Sequence, residues 1–106
     1  MVVDRRQKRA VAPLLALEYF LDAERARSGA SALGLFVSDE ALVASAKDAA
    51  AHRELVHNAP IADLTDRDLY VLPMRIGAGT MKLVSMDARV ASLASVERAV
   101  ARILAG

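Results

Sequence analysis

Cysteine is absent from this chain of 106 residues, so no disulfide, thiolate nucleophile or zinc–thiolate centre can be built and nothing calls for an oxidising compartment. A cytoplasmic location is the default expectation. An excess of one charge is missing too: 14 basic side chains against 13 acidic ones leave a net charge of +1, which singles out no class of partner. Long apolar runs are equally scarce. Asp4, Arg5, Arg6, Lys8 and Arg9 precede an apolar stretch that Glu18 and Asp22 interrupt, a pattern that argues against a spanning helix and does not suit a signal sequence. A chain of this length buries roughly two-thirds of its unfolded surface, enough for one core. One domain is expected over residues 13–106, with residues 1–12 as a basic arm or an extension of the first helix.

Catalytic and ligand-binding motifs are also missing. His52 and His57 are five apart, about 140° round a helix, and do not share a face as an i, i+4 metal pair would. Asp63, Asp66 and Asp68 lie close together, but the run lacks the glycine and the terminal glutamate of a calcium loop. They read as solvated loop carboxylates. Gly77 and Gly79 have no third glycine and lead into a strand, so the dinucleotide fingerprint fails on context, and no phosphate-cradling lysine loop occurs. No cofactor or metal is expected. Arg5, Arg6, Lys8 and Arg9 form the one dense basic cluster; without interleaved aromatics it reads as a solvated arm or exposed helical turns, with contact to an anion as the alternative and nucleic acid disfavoured.

What is present is a clear alternation of helical and extended patterns. Residues 66–106 organise the chain: Leu69 to Ile76 is rich in branched and aromatic residues, with both alternate sets largely apolar, which predicts a strand covered on both faces. Pro73 predicts a local break in it. Gly77-Ala78-Gly79 provides the turn of an antiparallel hairpin that resumes over residues 80–86. Asp87 stands where an N-cap is expected, and the following residues predict a C-terminal helix with Leu93, Val96, Val100, Ile103 and Leu104 on one stripe.

Upstream, residues 13–27 predict a helix with proline at its first position and Ser28-Gly29 at its end. If residues 5–12 are helical as well, Pro13 becomes interior, at a cost of about 3 kcal/mol or a kink. Leu14, Leu17, Phe20 and Leu21 share one stripe. Val11, Leu15 and Tyr19 lie outside it, more apolar surface than one packing contact uses, which signals either deep cover or a second contact with a partner. Ala32–Val37 and residues 41–46 predict a hairpin turning through residues 38–40. Asp48 is a candidate cap for a short helix over residues 49–58, and residues 61–65 a candidate edge strand.

These residues resemble the roadblock family of dynein light chains. The resemblance rests on Leu33 to Asp39 followed by Leu42 to Ala46, on Leu69-Tyr70-Val71-Leu72, and on Met81 to Asp87 running into the final helix. Its apolar patterns are shared by longin-like and other profilin-type domains. The first turn has no glycine, the middle helix is short and Pro73 interrupts a strand, which marks a divergent member. The resemblance implies an α/β (α+β), roadblock/profilin-like domain of order α-β-β-α-β-β-β-α, a five-stranded antiparallel sheet with the first and last helices on one face and the middle helix on the other. It also implies a homodimer, or pairing with a sister roadblock protein, through Ile61, Ala62, Asp63, Leu64 and Thr65 of the edge strand and His52, Leu55 and Val56 of the middle helix. The implied role is a non-catalytic scaffold that regulates a small Ras-like GTPase, as in bacterial polarity and motility. The alternative is a small ligand-sensing or enzymatic α/β domain with a pocket between sheet and helix.

Overall fold

The computed structural model describes residues 5–58 and 68–105. In chain order they form helix α1 (Arg5–Ser28), strands β1 (Ala32–Val37) and β2 (Glu40–Ala46), helix α2 (Ala49–Asn58), strands β3 (Leu69–Ile76) and β4 (Gly79–Met86), and helix α3 (Leu93–Ala105). The strands make one antiparallel sheet in the order β2-β1-β4-β3. The α+β class is as expected. The strand expected at residues 61–65 lies outside the described residues, among which the sheet has four strands. No helix in the described residues is long and apolar enough to cross a membrane.

Alternation along the strands divides the core into two layers. Leu33 and Leu35 of β1, Met74 of β3 and Met81 and Leu83 of β4 face Leu17 and Leu21 of α1 and Val96 and Val100 of α3. The opposite alternates, Ala32, Phe36, Val84 and Met86, pack with Ala51 and Leu55 of α2. Helices α1 and α3 therefore cover one face and touch each other, while α2 is the one helix on the other among the described residues, over β1 and β2. Small residues let this short helix settle closely. A Cβ on Gly34 would stand 2.8 Å from Cε1 of Phe36 and 3.0 Å from Cδ2 of Leu55, so the glycine is a notch that the Leu55 side chain fills.

Several boundaries differ from expectation, each for a local reason. Helix α1 starts at Arg5, not at Pro13, and carries the proline in its interior. Buried Leu17 and Leu21 anchor the helix from beyond that point, where tertiary contacts outweigh the proline's local cost. Strand β2 begins at Glu40, because the first turn needs only Ser38 and Asp39, with Ser38 at φ 56° taking the role glycine usually fills. The expected break at Pro73 is not there: the register runs without a shift from Leu69 opposite Met86 to Ile76 opposite Gly79. Strand β3 is the outermost described strand, where a proline whose nitrogen faces away from β4 removes no ladder bond. The second turn is Gly77-Ala78, with Gly77 at φ 61° in the first turn position.

Asp87 is not the cap of the last helix. It adopts φ 71°, its N–H donates to the Asp68 carbonyl at 2.8 Å, and its carboxylate accepts from the Ser31 hydroxyl at 2.5 Å. It thus ties the end of β4 to the starts of β1 and β3. The connection that follows lays the Arg89 guanidinium over the Tyr70 ring at 4.7 Å, and α3 starts only after Ser92, whose Oγ accepts from the Ser95 N–H at 3.2 Å. Asp48 does cap α2, accepting from the Ala51 N–H at 2.8 Å. Replacing Gly34 by valine is expected to destabilise the domain by about 1–3 kcal/mol through overpacking between Phe36 and Leu55. A urea melt reads this as a lower midpoint at unchanged slope; a midpoint equal to that of the parent would show that the notch is unnecessary.

Candidate functional site

Two surfaces gather the side chains singled out from the sequence. The first lies between α1 and the edge strand β2. Positions 15 and 19, and 18 and 22, are four apart along the helix, so Leu15, Glu18, Tyr19 and Asp22 share its flank and line an open groove of about 400 Å³ with Ala44, Ser45 and Ala46. Tyr19 is 75% exposed and Leu15 46%. Both belong to the stripe expected to make a second contact. The side chain of Val11, the third member, lies outside the description, as do those of Arg5, Arg6, Lys8 and Arg9.

The groove floor is fastened by a small polar cluster. The buried Ser45 hydroxyl donates to Oδ1 of Asp22 at 2.6 Å and accepts from Nε of Arg25 at 3.0 Å, while the guanidinium reaches the same carboxylate at 3.5 Å. Three residues from two elements satisfy one another, and helix and strand are locked at this point. The Ser45 hydrogen bond holds the Asp22 carboxyl below its ordinary value of 3.8; partial desolvation opposes this, and Arg25 adds to it by hydrogen bond and charge. Asp22 therefore stays ionised at neutral pH. Sequence reading passed over Glu18, Asp22 and Ala44 to Ala46 as a site. The only linear signal was the stripe of Leu15 and Tyr19, since Ser45 meets Asp22 across 23 positions.

The second surface is the outward side of α2. His52, Arg53, Val56 and His57 line a shallow depression there, with Val56 38% exposed at its centre. Leu55, expected in the same pairing layer, turns inward and is 0% exposed, so it anchors the helix to Gly34 and offers nothing to a partner. Ile61, Ala62, Asp63, Leu64 and Thr65 lie outside the described residues, as does the Asp63 and Asp66 part of the acidic loop. Among the described residues no three His, Asp or Glu side chains come together in a way that could hold a metal ion.

The linkage between Asp22 and stability has a definite sign. Because the folded carboxyl titrates below 3.8, its contribution is complete above that pH and is lost as pH falls through the lower folded value. Asp22→Asn, which keeps an oxygen for Ser45, is expected to flatten the fall of unfolding free energy as pH drops below about 4. Parallel slopes for the two proteins would remove Asp22 from the acid response. Comparison of the chain with protein-family models, with curated proteins and with solved structures finds no match.

Proposed function

We infer that this chain is a non-catalytic pairing module, a roadblock-type scaffold that joins a second copy or a sister subunit and, as a pair, binds a small Ras-like GTPase. The observation that carries the reading is the position of α2. Among the described residues it is the one helix on its face of the sheet, over β1 and β2, and β3 on that side keeps an apolar residue partly in solvent, Val71 at 37% exposure. Val56 on the helix and Val71 on the sheet are thus two exposed valines on one side of the molecule. A symmetric partner presenting its own α2 would cover both, the physical motive for an isologous interface. The division of the helices, α1 and α3 on one face and α2 on the other, is also the arrangement the family resemblance implies.

A regulator of this kind acts by positioning groups that the GTPase already carries, so it requires no catalytic side chain of its own. The ligand-pocket alternative has one concave feature to draw on, the α1–β2 groove. The Ser45, Asp22 and Arg25 side chains are already bonded to one another, which leaves Glu18 and the Tyr19 hydroxyl as the side-chain groups to orient a small molecule.

Light scattering across a concentration series is expected to give a mass near twice 11.3 kDa. Val56→Asp, which buries a carboxylate in the paired layer at a cost of about 2 kcal/mol or more per copy, is expected to return it to the monomer with an unchanged circular dichroism spectrum. A parent protein that is monomeric throughout, or a Val56→Asp protein that stays paired, would overturn the pairing.

A further inference from the structure

The groove between α1 and β2 has a feature that the pairing module leaves unused. Ala44, Ser45 and Ala46 are consecutive residues of a strand, and consecutive side chains point to opposite faces: Ser45 toward α1, Ala44 and Ala46 toward the α2 layer. Three such residues line one groove only through what they share, the main-chain edge turned away from β1. Strand β2 is the terminal strand of the sheet on this side, so that edge carries N–H and C=O groups with no strand beside them among the described residues.

Natural edges are usually guarded by lysine, proline or a bulge. Strand β2 has neither residue, and its one bulge, where Leu42 is left over between Ala41 opposite Phe36 and Val43 opposite Leu35, falls near the turn. From Val43 to Ala46 the ladder is regular, and the groove follows the last three of these residues. Above it project the exposed side chains of Leu15 and Tyr19, an apolar roof over a main-chain floor.

We propose that this edge is a docking site for an extended segment of a partner protein, added to the sheet as a strand beside β2, with apolar side chains beneath Leu15 and Tyr19 and a basic side chain reaching Glu18 and Asp22. The floor selects a strand, because only another main chain satisfies a row of alternating donors and acceptors. The charge of the groove selects its chemistry. Its two charged lining groups are both carboxylates, Glu18 has no ion pair within the described residues, and Arg25, the cation paired with Asp22, is also bonded to Ser45. A second copy is the poorer occupant. It would bring its own Glu18 and Asp22 to the same seam, and a second two-fold interface beside one at α2 would extend the copies into an open chain.

The test uses the intact chain, isotopically labelled, and a capped seven-residue peptide of alternating threonine and valine with arginine at the two inner threonine positions. Nuclear magnetic resonance titration is expected to shift the amides of residues 43–46 together with those of Leu15 and Tyr19. Binding is expected to weaken roughly five- to tenfold at low salt in Glu18→Lys, and by a similar factor with a glutamate-for-arginine peptide. It is expected to vanish when alternate peptide nitrogens are methylated on the side that faces β2. The same titration in Val56→Asp separates this site from pairing at α2, and should give the same result. No shift at millimolar peptide would overturn the proposal, as would binding that survives methylation on either set of nitrogens. So would β2 amides that move with protein concentration alone and exclude the peptide, which would assign the edge to a second copy.

Discussion

Strand β1 must be dry on both sides, and most of the architecture answers that demand. It is bonded to β2 along one edge and to β4 along the other, and five of its six residues are buried. Leu33 and Leu35 require a thick apolar cover, which α1 and α3 supply together. Ala32, Gly34 and Phe36 require a thin one, and a ten-residue helix rich in alanine can approach closely enough to provide it. The two faces differ in depth because the alternate residues of one strand differ in size. The unequal cover leaves α2 exposed at Val56 on its outer side and β3 partly open at Val71.

Polar bonds then hold the layers in register at two points. Near one, Ser45 of β2 is fastened to Asp22 and Arg25 of α1. At the other, Asp87 joins Ser31 ahead of β1 to Asp68 ahead of β3, with Ser85 donating to the Ala88 carbonyl beside it. Each cluster satisfies groups that the surrounding apolar packing would otherwise leave unpaired, the condition under which buried polar atoms are tolerated. No buried side-chain nitrogen or oxygen among the described residues lacks a partner. Two surfaces stand out: the α2 face, proposed here for pairing, and the α1–β2 edge, proposed for a strand.

Much of this was legible in linear pattern. Both hairpins and the three helices of the described residues were visible because helical and extended apolar periods differ and are interrupted by Gly77 and the Ser28-Gly29 pair. The inward stripes of α1 and α3 were read correctly at Leu17, Leu21, Val96 and Val100. The misreadings came where a residue's local preference competed with a distant partner. Asp87 has the identity of an N-cap, but Ser31 and Asp68 claim it at a three-strand corner. Pro13 left the start of α1 open between residue 13 and an extension through residues 5–12, and the structure has the longer helix, held by Leu17 and Leu21. Leu55 falls among surface residues of α2 in a linear reading, and only the missing side chain at Gly34 makes room for it inside.

By itself the sequence determined the identity and order of the described elements, because periodicity, turn chemistry and the absence of cysteine are properties of neighbours along the chain. It also determined that no sulfur chemistry is available. Only the tertiary structure decided that β2 ends the sheet on its side, and that Ala44 to Ala46 border an acidic, apolar-roofed groove. The reason is distance along the chain. Residues 22 and 45, 31 and 87, or 34 and 55 carry no mark of one another until the strands are paired, and the surfaces proposed to bind partners are made of such encounters.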